Sequence, residues 1–558
     1  MREQTSGLDH LGLGSVSNQR ILVNLSPDLF VQTVHPGYHS FYSFVLDEFW
    51  RRDDLPRTRA SWREFYRSKE LIFSIACNTC DHPEYGGQFG AIVGSGKTAA
   101  LAAQPPPGGY STDVDYIKNP LGGYGLYYRS IMASMGLVYL HQDTDYPVDL
   151  PTELGKQLAD AFRQRISATR YWKRYFQAER VPEAAVTELG ETACLCRLRG
   201  DVPDLDLVRE VVLRGGPPAS AAGRRSSLRM LLDLAAATAS FPVDQASYRQ
   251  LIYYGEAESG AVWRATSELP SPPNQLGIVD TWRRWRLYQA REFYAYALEG
   301  LWRWLVDWGL GRGGDARPIP VREAVEALVA SLDPDGLAES LDGVTPSMRA
   351  EDKLSTCIRS LRELAGEPVI PPAEDAGWAD RSFALDADLS EWALYVVTGR
   401  GSAEPEILAT ACLALMLLTA TRFDYRPLEY RDDWSYARVG GIQRLSFDGF
   451  VSSLRRRVEE QASVGDAAGW LLQDYVIAQH LRVAGSKLPF NTYRFVQEGD
   501  ALRFFDRTRP IGMNSARFDA LSHTVSDLGF VGPLALQDHL LTPQGERFLG
   551  SGDWERGS

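Results

Sequence analysis

Leu528-Gly529-Phe530-Val531 is followed after nine residues by Leu541-Thr542-Pro543-Gln544-Gly545-Glu546-Arg547-Phe548. It reads as an apolar helix ending at Gly529, a short extended excursion, and a second helix that Thr542 caps with Pro543 in its first position. A similar arrangement stands near the other end. Met135-Gly136-Leu137-Val138 precedes Leu150-Pro151-Thr152-Glu153-Leu154-Gly155-Lys156-Gln157-Leu158. In this copy the proline comes before the threonine and the spacing is longer.

From Asn514 to Leu549 the C-terminal copy resembles the tail of winged-helix domains of the MarR and PadR type. The resemblance implies that Gly529 caps a recognition-type helix, that the wing spans roughly 531–540, and that Thr542 opens the closing helix. It bears on fold more than on function, and it covers only this segment.

Outward from these ends, helical periodicity dominates. Ser61 and Glu64 form a capping-box pattern ahead of Trp62–Ala76. Pro151–Phe176 reads as one long amphipathic helix, and Asp280 as the cap of another running to Trp308. Further helices are expected near 203–214, 224–238, 319–332, 347–365, 403–420, 446–462 and 466–484. The best strand signal is Tyr493–Phe505, with Glu498-Gly499-Asp500 turning a hairpin. Linkers are expected at Gln104–Gly109, Gly215–Gly223, Pro270–Asn274, Gly311–Pro320 and Gly366–Gly377. The fold class is therefore mainly α, a multidomain helical scaffold with winged-helix-like modules near both ends. Its expected divisions are 1–180 (with the first module at about 90–165), 181–310, 311–485 and 486–558.

Composition narrows the class. The chain has 558 residues, more than one ordinary core holds, with 44% hydrophobic and 23% charged residues. No apolar leader opens it, and Ile407–Ala420 falls short of the roughly 20 residues that span a bilayer. Six cysteines in so long a chain fit a reducing compartment. A soluble, cytoplasmic protein with no membrane partner is the expectation. The net charge of −13 argues against sequence-blind coating of nucleic acid. Only seven of the 59 basic residues are Lys. Arg suits phosphate and base-edge recognition, but a GC-rich bacterial genome produces the same bias.

Two catalytic strings are expected to be accidental. Ala91–Thr98 (AIVGSGKT) matches a phosphate-binding loop but lacks the strand that must feed it. Pro334-Asp335 with Glu351-Asp352-Lys353 spells a nuclease motif whose acids need adjacent strands around a metal; here the spacing is helical. No HExxH or GxSxG pattern occurs, and no catalytic residue is assigned.

Two sets of candidate binding residues remain. Cys77-x-x-Cys80, with His82 nearby, and Cys194-x-Cys196 could supply four thiolates, Cys77, Cys80, Cys194 and Cys196, to a structural zinc. Both Cys77 and Cys194 also fit ordinary buried positions. Tyr116–Arg129 (YIKNPLGGYGLYYR) combines turn-forming glycines with stacking faces and a cation. Tyr124, Tyr128 and Arg129 are thus nucleic-acid candidates. Arg494 and Arg503 on the hairpin and Arg517 before Gly529 are their C-terminal counterparts. The leading expectation is a non-catalytic nucleic-acid-associated protein, a subunit of a bacterial DNA-processing or antiphage assembly. The alternatives are a scaffold whose winged helices dock protein partners, and a divergent nuclease or ATPase with a dispersed site.

Overall fold

The apolar spacing ahead of Ala76 becomes the Arg59–Asn78 helix, whose Thr58 cap accepts from the Ser61 N–H. The helix thus starts earlier than the Ser61–Glu64 pattern implies. Pro151–Phe176 is not one helix. It is Glu153–Ile166 followed by a wide turn at Tyr171–Tyr175. Pro218 starts a helix reaching Ala237, so six of the nine residues of the expected 215–223 linker are helical. The Tyr493–Phe505 hairpin forms as read, with strands Phe495–Glu498 and Ala501–Phe504 about Gly499 at φ 66°.

The computed structural model describes residues 9–87, 89–344, 346–366, 383–399, 404–422, 445–489, 491–506 and 511–555. Most of the expected 366–377 linker lies outside them. The chain is mainly helical, with small antiparallel sheets, and divides into two discontinuous units. The first unit comprises Asn24–Ala246, Trp263–Thr281 and Ser515–Ser558; the second comprises Met1–Val23, Ser247–Val262 and Trp282–Asn514. The expected 486–558 segment is divided between them at Asn514.

In the first unit the Gly37–Trp50 helix packs on Glu153–Ile166, and Arg59–Asn78 packs on Glu183–Ala193. The Pro218–Ala237 helix packs on Phe518–Asp527 and Pro543–Ser551. In the second unit the apolar Pro405–Arg422 helix has the length and composition of a membrane span, yet 83% of it is buried inside the protein. Glu391–Gly399 and Leu354–Leu364 pack against it. The long Ile278–Gly311 helix supplies core residues from Trp285 to Val306. Its Arg286 does not reach out to solvent. It is buried, donates to the Tyr253 carbonyl and lies 4.0 Å from the Phe383 ring centroid.

The two copies of the glycine–threonine arrangement have the same hydrogen bonds. Gly136 and Gly529 take φ of 81° and 71°. Behind them the Leu137 and Phe530 N–H groups donate to Met132 and Val525 carbonyls at 2.8 and 3.0 Å. Thr152 and Thr542 donate from their N–H to the Leu137 and Phe530 carbonyls at 3.0 and 2.9 Å. Their hydroxyls donate to Gly136 and Gly529 carbonyls, both at 2.7 Å, and accept from Gly155 and Gly545 N–H, both at 3.1 Å. A Cβ on Gly155 or Gly545 would overlap the Leu137 or Phe530 carbonyl oxygen. Each module is therefore a helix, a glycine stop, a short antiparallel excursion (Val138 opposite Pro151, Val531 opposite Leu541) and a threonine-capped helix.

Burial also sets an acid limit on the fold. It lowers His39 and His523 of the first unit, and His10 of the second, from 6.5 to about 4. His480 falls to about 3 for the same reason. Such a histidine stays neutral when folded and takes up a proton on unfolding below its ordinary pKa. Its contribution is full above about pH 6.5 and is lost as pH falls toward 4. Denaturant midpoints measured from about pH 7.5 to 4.5 are expected to drop through this window. A midpoint that stays level down to about pH 5 would contradict the assignment.

Candidate functional site

Two helices of the first unit run side by side and end at one place. Gly190 permits this: a Cβ there would overlap the Ala76 carbonyl oxygen of Arg59–Asn78. Beyond Asn78 the chain delivers Cys80 and then His82, which adopts φ 44° ahead of the Pro83–Tyr85 turn. Beyond Ala193 it delivers Cys194 and, in the Leu195–Arg199 turn, Cys196. The ligand atoms of Cys80, His82, Cys194 and Cys196 all lie within 4.8 Å of one another. Cys80 Sγ is 3.6 Å from Cys196 Sγ, and Cys194 Sγ is 3.6 Å from His82 Nδ1.

Of the four thiols expected together, the structure groups Cys80, Cys194 and Cys196 and leaves Cys77 outside the set. Cys77 belongs to the buried face of its helix, and its carbonyl lies 3.9 Å from Cys194 Sγ. His82 takes the fourth place. Hydrogen bonds from Cys194 and Cys196 hold Cys80 far below the usual thiol range, while burial pushes Cys194 up. Arg197 places a guanidinium nitrogen 3.8 Å from Cys80 Sγ. The set can bind a soft or borderline divalent cation with its charge partly offset.

The cluster connects to the C-terminal module. Phe89 stacks on His82 at 4.5 Å and on His35 at 4.3 Å. His35 is hydrogen-bonded through Nδ1 to Asp527 at 2.8 Å and through Nε2 to the Gly90 carbonyl at 2.9 Å. Tyr85 donates to the other Asp527 oxygen. All these groups sit on the first unit.

The nucleic-acid candidates lie apart from this centre and largely indoors. Tyr128 is buried against Tyr38 and Tyr42, with ring centroids 4.9 and 5.1 Å away. Tyr124 is buried and donates to Asp149 at 2.8 Å. The glycine loop before them wraps the buried Glu70 carboxylate, which accepts from the Gly123 and Tyr124 N–H groups and the Tyr42 hydroxyl. Arg129 is half-buried and forks onto Asp149 at 2.7 and 2.9 Å. Burial opposes ionisation of Asp149, but Arg129 and the His141 N–H outweigh it and hold this carboxyl low. Arg517 is buried, donates to Ser26 and Leu29 carbonyls, and sits 4.4 Å from the Phe30 ring centroid. Arg494 is buried, and the half-buried Arg503 pairs with Glu498 at 2.7 Å. As placed, Arg129 and Arg503 keep part of their side chains at the surface, whereas Tyr124, Tyr128, Arg494 and Arg517 are enclosed. Their burial has a common cause: tyrosine and arginine carry large apolar surfaces and satisfy their polar tips inside.

The two catalytic strings lack their required supports. Among the described residues no strand precedes Gly94; the Ser95–Ala103 helix follows a loop, and Thr98 is buried with its hydroxyl on the Gly94 carbonyl at 2.9 Å. Pro334-Asp335 opens the Pro334–Ser340 helix, while Lys353 caps Leu354–Leu364. No protein-family model matches the chain, and no curated protein or solved structure is similar to it.

Proposed function

We propose that this chain is a non-catalytic scaffold, a subunit of a larger assembly, that docks protein partners through its two hairpin modules used as winged helices. The observation that carries this reading is the charge of the two excursions. From Val138 to Pro151 there are three Asp and no Lys or Arg, and from Phe530 to Leu541 one Asp and no Lys or Arg. Asp143, Asp145 and Asp538 are exposed. A wing that tracks a phosphate backbone needs cations. These wings instead present Tyr139, Tyr146 and Leu540 at 59%, 51% and 67% exposure, the amphipathic and apolar groups that protein interfaces bury.

The test is fluorescence anisotropy of labelled duplex and single-stranded DNA with the full chain over a range of salt. The scaffold reading expects no salt-dependent binding at low ionic strength. Binding whose affinity falls steeply with salt, and weakens in Arg129→Ala, would restore the nucleic-acid reading. Photo-crosslinking groups placed at positions 139 and 540 in cells add a direct measure. Protein adducts at both positions are expected, and adducts to nucleic acid alone would refute docking.

A further inference from the structure

We propose that Cys80, His82, Cys194 and Cys196 bind one zinc ion as a closed structural site, and that this site seats the C-terminal hairpin module.

The geometry matches before any ligand is considered. Zinc bound tetrahedrally at about 2.3 Å from sulfur and about 2.0 Å from nitrogen sets sulfur–sulfur edges near 3.8 Å and sulfur–nitrogen edges near 3.5 Å. The Cys80–Cys196 and Cys194–His82 separations, both 3.6 Å, are of that size. The six edges of the tetrahedron are all bounded by 4.8 Å. Three thiolates and one imidazole are the ligands zinc favours, and four protein ligands leave no open position, so the site is structural rather than hydrolytic. Three thiolates on a divalent ion leave one net negative charge, and Arg197 stands beside Cys80 to meet it.

The placement gives the site its task. Cys80 and His82 follow one helix, and Cys194 and Cys196 follow another more than a hundred residues on, so a metal here joins two distant segments. The Leu195–Arg199 turn that carries Cys196 packs on the Phe518–Asp527 helix. From the other hook, His82 leads through Phe89 to His35 and Asp527, and Tyr85 reaches the same carboxylate. Both hooks therefore bear on the helix that Gly529 ends.

The experiment uses the untagged full chain. Elemental analysis is expected to find one zinc per chain. Cobalt exchanged into the site is expected to show thiolate charge-transfer absorption and tetrahedral d–d bands. Cys80 is partly exposed, so its alkylation should be slow in the metal-loaded protein and fast after chelation. Hydrogen exchange over residues 515–555 should rise on chelation. Cys77→Ser should retain the metal, Cys194→Ser should lose it, and His82→Cys should retain it with a four-sulfur cobalt spectrum. If Cys194→Ser does not fold, the alkylation and exchange of the unmodified chain still decide. Metal far below one per chain, a Cys80–Cys196 disulfide in the reduced purification, or Cys80 alkylation unchanged by chelation would overturn the site. Metal loss without faster exchange at 515–555 would overturn the seating role.

Discussion

Gly545→Ala is expected to destabilise the first unit by about 3 kcal/mol, because overpacking against backbone forces a shift that side-chain repacking cannot absorb. The added Cβ would overlap the Phe530 carbonyl oxygen, which also accepts the Thr542 N–H at 2.9 Å. Relieving the overlap moves the start of the Pro543–Ser551 helix away from the strand it follows. Gly155→Ala should cost a comparable amount, since its Cβ would overlap the Leu137 carbonyl oxygen in the same way. Gly550 provides the control within the same helix. Nothing lies within 4 Å of a Cβ there, so Gly550→Ala should stabilise by roughly 0.5–1 kcal/mol through helix propensity alone. Urea unfolding followed by hydrogen exchange of residues 515–555 distinguishes the two. Equal effects of Gly545→Ala and Gly550→Ala would show that the close approach does not govern the module.

Arg422→Ala should cost the second unit about 3–5 kcal/mol, the usual loss when one partner of a buried ion pair is removed. Arg422 Nε lies 2.6 Å from Glu391, and both side chains are fully buried. Glu391 also accepts from Tyr253 and Tyr254 hydroxyls at 2.7 and 3.1 Å. Without the guanidinium the carboxylate keeps those two donors but has lost its countercharge in a medium that cannot solvate it. The double variant Arg422→Met with Glu391→Leu should lose less than Arg422→Ala alone, because no charge is then left uncompensated. Additive losses in this cycle would mean that the two residues act separately. Unfolding by guanidinium with tryptophan fluorescence provides the measurement.

Several features were legible because they depend on neighbours in sequence. Thr542 caps a helix, Gly529 stops one, and Glu498-Gly499-Asp500 turns a hairpin through local backbone geometry and hydrogen bonds. The internal likeness between the 135–158 and 528–548 segments was visible for the same reason, and the structure adds that its hydrogen bonds coincide. The boundaries were less secure where two caps compete, as Thr58 with Ser61.

The cysteine centre was half legible. The spacing marked Cys80, Cys194 and Cys196, but Cys77 and His82 compete for the fourth place on paper. The helical phase of Arg59–Asn78 resolves the competition by turning Cys77 into the core, and the left-handed His82 turns its ring back onto the cluster. The burial of the arginines and tyrosines was not legible for a related reason. Nothing within a few residues of Arg517 or Tyr128 distinguishes a surface contact from a core group with its polar atoms satisfied.

By itself, then, the sequence determined the helical class, the two glycine–threonine modules, the hairpin and the lack of Lys and Arg in both excursions, because periodicity, caps and charge are local properties. Only the tertiary structure decided which thiols meet and which arginines and tyrosines are enclosed. Cys80 and Cys196 stand 116 residues apart in the chain and 3.6 Å apart in space, and Gly190, which permits that meeting, shows its purpose only when the Ala76 carbonyl is packed against it.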